Sequence, residues 1–168
     1  MQASAAIDCN EVFAQMRLVG VISDTHGLLR PHAVAALRGC DPIIHAGDVG
    51  RPDLLVELAR VAPVIAVRGN VDGGAWARRL PDSKTVQVEG FKLYVLHNLD
   101  DLDVDLQTAG FDAVIFGHSH QPRNARIDNV LHFNPGSAGP RRFKLPVTVG
   151  RLTLAGRELH GEIIELSA

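Results

Sequence analysis

Short apolar runs that each stop at a polar residue organise the chain. The first is Arg17–Ile22, and its alternation and β-branched content predict a strand that starts abruptly after a weakly patterned, Ala-rich stretch. Pro42-Ile43-Ile44 and Pro63–Val67 predict two further strands. Between them Asp53–Val61 has helical spacing, with Pro52 suited to the first turn. Thr85–Val88 and Phe91–Leu96, joined by Glu89-Gly90, predict a β-hairpin. Leu102–Ala109 reads as a helix and Ala113–Phe116 as a strand. From Ala125 onward only strands are expected, at Ala125–Ile127, Val130–Phe133, Pro146–Leu154 and Glu158–Leu166. A βα-alternating first half followed by a β-rich second half predicts an α/β fold of two sheets packed face to face, with helices outside.

The boundaries follow from the same pattern. Residues 1–16 form an expected N-terminal extension and 17–168 a single domain. Met16 directly precedes the first strand. The preceding residues are read either as a dispensable extension, with Met16 an alternative start, or as a short helix packed on the domain.

Composition narrows the partners. The formal net charge is −2 and no basic run exists, which argues against a dedicated nucleic-acid surface. No apolar run approaches the ~20 residues needed to cross a bilayer. Asp8 and Glu11 fall where a signal peptide would be apolar, so the expected compartment is the cytoplasm. Cys9 and Cys40 form neither a CxxC pair nor a disulfide framework. Nothing in the sequence sets an oligomeric state.

The chemistry collects immediately after the apolar runs. They end in Asp24-Thr25-His26, Gly47-Asp48, Gly69-Asn70-Val71-Asp72, His97-Asn98 and Gly117-His118-Ser119-His120. Carboxyl ends of strands are where α/β sheets bind ligands. The spacing of Asp24 with His26, and of His118 with His120, would put each pair on one side of an extended segment. Carboxylate, imidazole and amide donors without sulfur suit Mn²⁺, Fe²⁺, Zn²⁺ or Ni²⁺. Seven candidates (Asp24, His26, Asp48, Asn70, His97, His118 and His120) exceed what one tetrahedral ion takes. They suffice for two ions sharing a carboxylate. Two divalent ions bring about +4, and two carboxylates and a hydroxide leave roughly +1, suited to a phosphodiester monoanion.

These blocks resemble the calcineurin-like metallophosphoesterase family. They are most similar to its small bacterial and archaeal phosphodiesterases of the YfcE type, which also carry a turn like Asn134-Pro135-Gly136-Ser137 followed by Pro140-Arg141. The resemblance runs from about Arg17 to the C-terminus. It implies a four-layer αββα sandwich of two mixed β-sheets and a centre of two divalent metal ions, Mn first, with Ni, Fe or Zn as alternatives. By position, Asp24, His26, Asp48 and His120 would hold the first ion. Asp48 would bridge to a second, completed by Asn70, His97 and His118. A bridging hydroxide would then cut small phosphodiesters, with Asp48, Asn70 and His97 as the catalytic metal-holding residues. Arg141 and Asn98 are the expected substrate contacts. The rival class is a non-catalytic protein-interaction scaffold resembling the retromer subunit that shares this fold. Such scaffolds lose metal ligands, and this chain keeps all seven.

Two positions depart from the family pattern. Val71 stands where many members place a His that helps protonate the leaving group, so poor leaving groups should suffer most. Asp72 is left with an expected structural role. Asn98 follows the metal-binding His97 where a Gly is usual. His45 reads as a hydrogen-bonded core histidine, and His32, His132 and His160 as surface or structural ones. Trp76 is expected to pack a loop against the body.

Overall fold

The computed structural model describes residues 16–167. In chain order the first half comprises β1 (Met16–Ile22), α1 (Pro31–Ala36), β2 (Ile43–His45), α2 (Pro52–Ala59), β3 (Val64–Ala66) and the single turn α3 (Gly74–Ala77). The second half comprises β4 (Ser83–Val88), β5 (Phe91–Leu96), a 3-10 turn at Leu99–Asp101, β6 (Ala113–Ile115), β7 (Arg123–Ile127), β8 (Val130–Asn134), β9 (Thr148–Ala155) and β10 (Glu158–Glu165).

Two mixed five-stranded sheets result, ordered β10-β9-β1-β2-β3 and β4-β5-β6-β8-β7. Each contains three mutually parallel strands: β1, β2 and β3 in the first, β5, β6 and β8 in the second. Antiparallel strands extend both sheets, β9 and β10 in the first, β4 and β7 in the second.

Period-two alternation decides which side chains meet where. Val19 and Val21 of β1 enter a core shared with Leu93, Val95, Ile115 and Phe133 of the second sheet. Ile22 and Leu18 of the same strand face the other way, toward Leu37, Leu54 and Leu58 under α1 and α2. Each fully buried Leu, Ile or Val contributes about 1.5–3 kcal/mol through removal of apolar surface from water. Gly20 of β1 faces α1, where a Cβ would approach the Leu37 side chain to 2.8 Å. Trp76 packs against this helix-side cluster, as expected for a loop anchor.

Most sequence-predicted elements are present within a residue or two. Glu89 and Gly90 both take positive φ, 49° and 82°, the geometry of a tight two-residue hairpin. α2 begins with Pro52 and buries Leu54 and Leu58 one turn apart. It ends at Ala59, two residues before the expected Val61, with Arg60 as its C-cap. α1 was not anticipated, since six residues carry too little periodicity to register.

One element is corrected. Leu102–Ala109 is not a helix but a series of turns following the 3-10 turn. Aspartates compete locally there: Asp105 Oδ1 accepts the Thr108 N–H at 2.9 Å, and Asp103 Oδ1 lies 3.3 Å from the Tyr94 hydroxyl. The segment still covers the outer face of the second sheet, where Leu106 and Phe111 pack on Tyr94, Val114 and Phe116. The expectations for the N-terminal extension lie outside the described residues, apart from Met16, which is the first residue of β1 and pairs with Ala155. Among the described residues no helix is long and apolar enough to cross a membrane. Cys40 is a buried free thiol, and burial pushes its pKa up.

Candidate metal centre

The six parallel strands all end at the same edge of the sandwich, and each hands over polar groups there. Asp24 and His26 follow β1, Asp48 follows β2, and Asn70 follows β3. From the second sheet, His97 follows β5, while His118 and His120 follow β6.

Five of these side chains converge. His120 Nε2 lies 3.2 Å from Asp24 Oδ1 and 3.3 Å from His26 Nε2. His26 Nε2 is 3.9 Å from both Asp24 Oδ1 and Asp48 Oδ2. His97 Nε2 is 3.4 Å from Asp48 Oδ2. Ligand atoms about 2.0–2.2 Å from a common ion sit roughly 3–3.5 Å from one another, so the separations of 3.2, 3.3 and 3.4 Å match shared coordination. Asp24 with His26 and His120 forms one potential metal-holding group, and Asp24 with Asp48 and His97 a second. His118 is exposed, and its ring stands edge-on to His97 with centroids 5.3 Å apart. Asn70 is exposed and lines the same cavity as His97.

The extended-segment expectation fails for His118 and His120. Asp24, His26, Asp48, His118 and His120 all take positive φ, between 46° and 67°. His120 therefore turns to Asp24 and His26, whereas His118 turns to His97. Left-handed backbone costs a non-glycine residue about 1–2 kcal/mol. Strain at five of the seven candidate donors, four of them among the converging ones, is the kind that clusters at ligand sites.

The surrounding hydrogen bonds leave certain atoms free. Asp24 Oδ2 accepts from Ser23 Oγ at 2.6 Å and from the His118 N–H at 3.1 Å. Its Oδ1 is buried and without a hydrogen-bond partner. Asp48 Oδ1 accepts the Val71 N–H at 2.9 Å, which turns Oδ2 toward the histidines. His97 Nδ1 faces the Ala46 carbonyl at 2.7 Å, and because a carbonyl only accepts, Nδ1 carries the proton. Nε2 of His97 is then a buried, unpartnered lone pair. An unpaired buried oxygen and an unpaired buried nitrogen facing one space are what a divalent cation would satisfy. The donor set fits a metal.

The protonation of Asp48 and of His26 agrees with that reading. Burial would raise the Asp48 carboxyl, but the neighbouring His97 imidazole and the Val71 N–H outweigh it and hold the pKa down at about 2. Burial, aided by the nearby His120 and Arg142, lowers the pKa of His26 despite two carboxylates beside it. Burial also opposes a charge on His97, yet contact with Asp48 and Ala46 raises its pKa above the ordinary value.

Glycines let the loops close on one another. A Cβ on Gly69 would come within 2.0 Å of the Asp48 nitrogen, and one on Gly117 within 2.0 Å of Ser23 Oγ. Close backbone approach here serves the neighbouring donor loops.

Supporting residues complete the frame. Asp72 accepts the N–H groups of Val49, Gly50 and Gly69 at 3.2, 2.8 and 2.8 Å, tying two donor loops together. His45 is fully buried and satisfied: Thr25 donates its proton to Val49 O and so accepts from His45 Nε2, while His45 Nδ1 accepts the Gly47 N–H. It is the core histidine expected, and burial lowers its pKa to about 4. His32 and His160 are exposed and His132 half-buried.

Sequence reasoning missed several positioning residues. Ser23 orients Asp24. Asn134 Nδ2 donates to Gly117 O at 2.9 Å and to Ser119 Oγ at 3.1 Å, and Ser137 Oγ donates to Asp24 O at 2.9 Å. The Asn-Pro-Gly-Ser turn was noticed, but nothing in its spacing revealed which loops it would brace. Arg141 is exposed, and its Nε donates to Leu145 O at 3.2 Å. It lines a different cavity with Arg30 and Glu165, and the arginine whose charge reaches His26 is Arg142. Asn98 Oδ1 accepts the Asp100 N–H at 3.1 Å and so caps the 3-10 turn, while the residue lines the cavity beside His97.

Fold and donor set define a metal-binding phosphoesterase architecture, and comparison with known proteins bears this out. Residues 16–157 match the calcineurin-like phosphoesterase superfamily domain, and the chain belongs to that family. It is 37% identical over 166 residues to a probable metallophosphoesterase of Methanothermobacter thermautotrophicus, covering 90% of this chain and 94% of that protein. An archaeal phosphodiesterase of known structure superposes with a TM-score of 0.72 at 25% identity, covering 88% and 99% of the two chains. Vacuolar protein sorting 29 from Cryptosporidium parvum gives a TM-score of 0.73 at 19% identity, covering 92% and 100%, a likeness of fold alone.

Proposed function

We propose that this protein is a cytoplasmic metal-dependent phosphodiesterase acting on small phosphodiesters at a centre for two divalent ions. The observation that carries the reading is the pair of buried, unpartnered atoms Asp24 Oδ1 and His97 Nε2 within a ring of carboxylates and imidazoles. Asp24, His26, Asp48 and His120 would hold one ion, and Asn70, His97 and His118, with Asp48 shared, the other. Position of Asp48 Oδ2 within 3.9 Å of His26 and 3.4 Å of His97 supports its sharing. Bound ions would supply a nucleophile at neutral pH and positive charge for the phosphoryl oxygens. Nitrogen and oxygen donors admit Mn²⁺, Ni²⁺, Fe²⁺ and Zn²⁺, and the family resemblance puts Mn²⁺ first.

The chain's own residues bias the substrate toward good leaving groups. Val71 is 54% exposed beside Asp48 and cannot transfer a proton. Esters whose leaving group departs without help are therefore favoured. Arg142, on the His26 side, is the better candidate than Arg141 for an arginine acting on the phosphate. Asn98 remains a proposed substrate contact, through its place on the cavity wall.

The scaffold reading draws on the fold likeness to vacuolar protein sorting 29. Retention of every donor, with strained backbone at five of them, favours the enzyme. The deciding test removes metal and then assays a chromogenic phosphodiester beside its monoester with Mn²⁺, Ni²⁺, Zn²⁺ or Mg²⁺ restored. Diester cleavage exceeding monoester cleavage and lost in Asp48→Asn supports the enzyme. Stoichiometric metal binding without turnover on any substrate supports the scaffold.

A further inference from the structure

The loop after the Asn-Pro-Gly-Ser turn is held at its base. Ser137 pairs with Val147 across the neck of the loop. Ser137 Oγ donates to Asp24 O at 2.9 Å, the Ala138 N–H to Ser23 O at 3.1 Å, and Arg30 Nη2 to Gly139 O at 3.2 Å. From this base, beside the Asp24 loop of the candidate centre, the chain runs out through Arg141, Arg142, Phe143 and Lys144, all of them exposed.

A single exposed apolar residue is ordinary. Phe143 differs in degree: it is 95% exposed, and the next most exposed large apolar side chain, Val56, is at 59%. Its φ is 53°, in the left-handed region that bulky residues rarely adopt. The ring therefore contributes no packing to the fold, and the backbone beneath it is strained.

Charge is an independent observation. Arg141, Arg142 and Lys144 enter no ion pair among the described residues. No acidic residue occurs between Asp128 and Glu158. Glu165 lines the adjoining cavity with Arg30 and Arg141, two guanidiniums to one carboxylate, so this face is positive in a chain of net charge −2.

An aromatic ring with cations on either side suits a surface that is anionic outside and apolar just beneath. The cations gain attraction to anionic headgroups while the ring enters the acyl boundary. A stable protein interface needs about 800 Å² per partner around an apolar core, which one ring does not supply. A nucleic-acid strand needs cations spread along a track, whereas these three share one short loop.

We propose that the Arg141–Lys144 loop docks the protein on anionic membrane surfaces, with Phe143 inserted at the boundary between headgroups and acyl chains. One ring and three charges make the contact weak and reversible. Docking sets the rim of the candidate metal centre at headgroup level.

Co-sedimentation of the full chain with vesicles tests it, using phosphatidylcholine alone or mixed with an equal part of phosphatidylglycerol. Chelator is present throughout, so that a lipid phosphate held by metal ions cannot mimic docking. Binding should require phosphatidylglycerol and weaken as salt rises. Phe143→Ala should reduce it about tenfold and Lys144→Gln about fivefold. Circular dichroism of each variant confirms that the fold is kept. Phe143→Trp should bind at least as well as the wild type, with indole fluorescence quenched by acyl-brominated lipid. Trp76, packed in the helix-side cluster, gives the wild-type background. Equal binding to both vesicle types, no binding to either, binding that survives Phe143→Ala, or no added quenching in Phe143→Trp overturns the proposal. Preference for a single-stranded oligonucleotide or an acidic peptide over the vesicles overturns it in favour of that partner. The result is independent of turnover: docking by a protein that cleaves no diester upholds this inference and refutes only the phosphodiesterase reading.

Discussion

His97 on the second sheet gives its Nδ1 proton to the Ala46 carbonyl on the first, at 2.7 Å. One hydrogen bond thereby joins the two sheets at the edge where the donors meet and fixes the tautomer that leaves Nε2 free. The candidate metal centre and the inter-sheet contact are the same piece of structure.

Removing that imidazole should therefore affect metal loading before anything else. His97→Ala is expected to lower metal stoichiometry by one ion and phosphodiester turnover by at least about 100-fold. Metal analysis of the purified variant beside its circular dichroism separates ligand loss from unfolding; a full metal complement would refute the assignment.

Ser23 acts on the opposite wall. Its hydroxyl, 2.6 Å from Asp24 Oδ2, leaves Oδ1 as the free donor. Ser23→Ala should weaken metal affinity by about 10- to 100-fold with little change in stoichiometry at saturation. Calorimetric titration with Mn²⁺ checks this, and unchanged affinity would remove Ser23 from the positioning set.

Gly69 is required for packing. An added Cβ would meet the Asp48 backbone and carboxylate at 2.0 and 2.2 Å, whereas at Gly73 it would meet nothing within 4 Å. Gly69→Ala should cost about 1–3 kcal/mol of stability and Gly73→Ala at most about 0.5 kcal/mol. Urea denaturation of both variants gives the comparison.

His45 should make the fold acid-sensitive. Its pKa falls from 6.5 in the unfolded chain to about 4 in the fold, because burial disfavours the charge. Below pH 6.5 the unfolded state binds the proton and the native state does not, so stability is complete above 6.5 and declines as pH falls toward 4. The drop amounts to about 3 kcal/mol. His45→Gln removes this component, so the stability difference between wild type and variant, measured in chelator at pH 7.5 and 4.5, should narrow at the lower pH. A difference that does not vary with pH would contradict the buried neutral state.

Val71 gives a gain-of-function test. Val71→His should raise cleavage of alkyl diesters by about tenfold or more while changing aryl diesters little, since only the poor leaving group needs a proton. Equal effects on both classes would mean that the position acts by some route other than proton transfer.

Much of this was legible in the residues themselves. Apolar runs of strand length, each closed by Asp, Asn or His, specify local conformation and its termination, because alternation and turn chemistry act over a few residues. Seven donors and the absence of sulfur likewise limit the class of metal. The aspartate-rich stretch after Leu102 misled, since helical spacing was present but Asp103 and Asp105 found other partners. Left-handed backbone at His118 and His120 and the Ser137 contact to Asp24 depend on groups far apart in the chain, while the Ser23 contact to Asp24 and the Arg141 bond to Leu145 join near neighbours in conformations that no local pattern specifies. The sequence by itself determined which residues could serve as donors and that they follow strands. Only the tertiary structure decided which oxygen of Asp24 and which nitrogen of His97 remain free, because that depends on partners brought together by packing one sheet on the other.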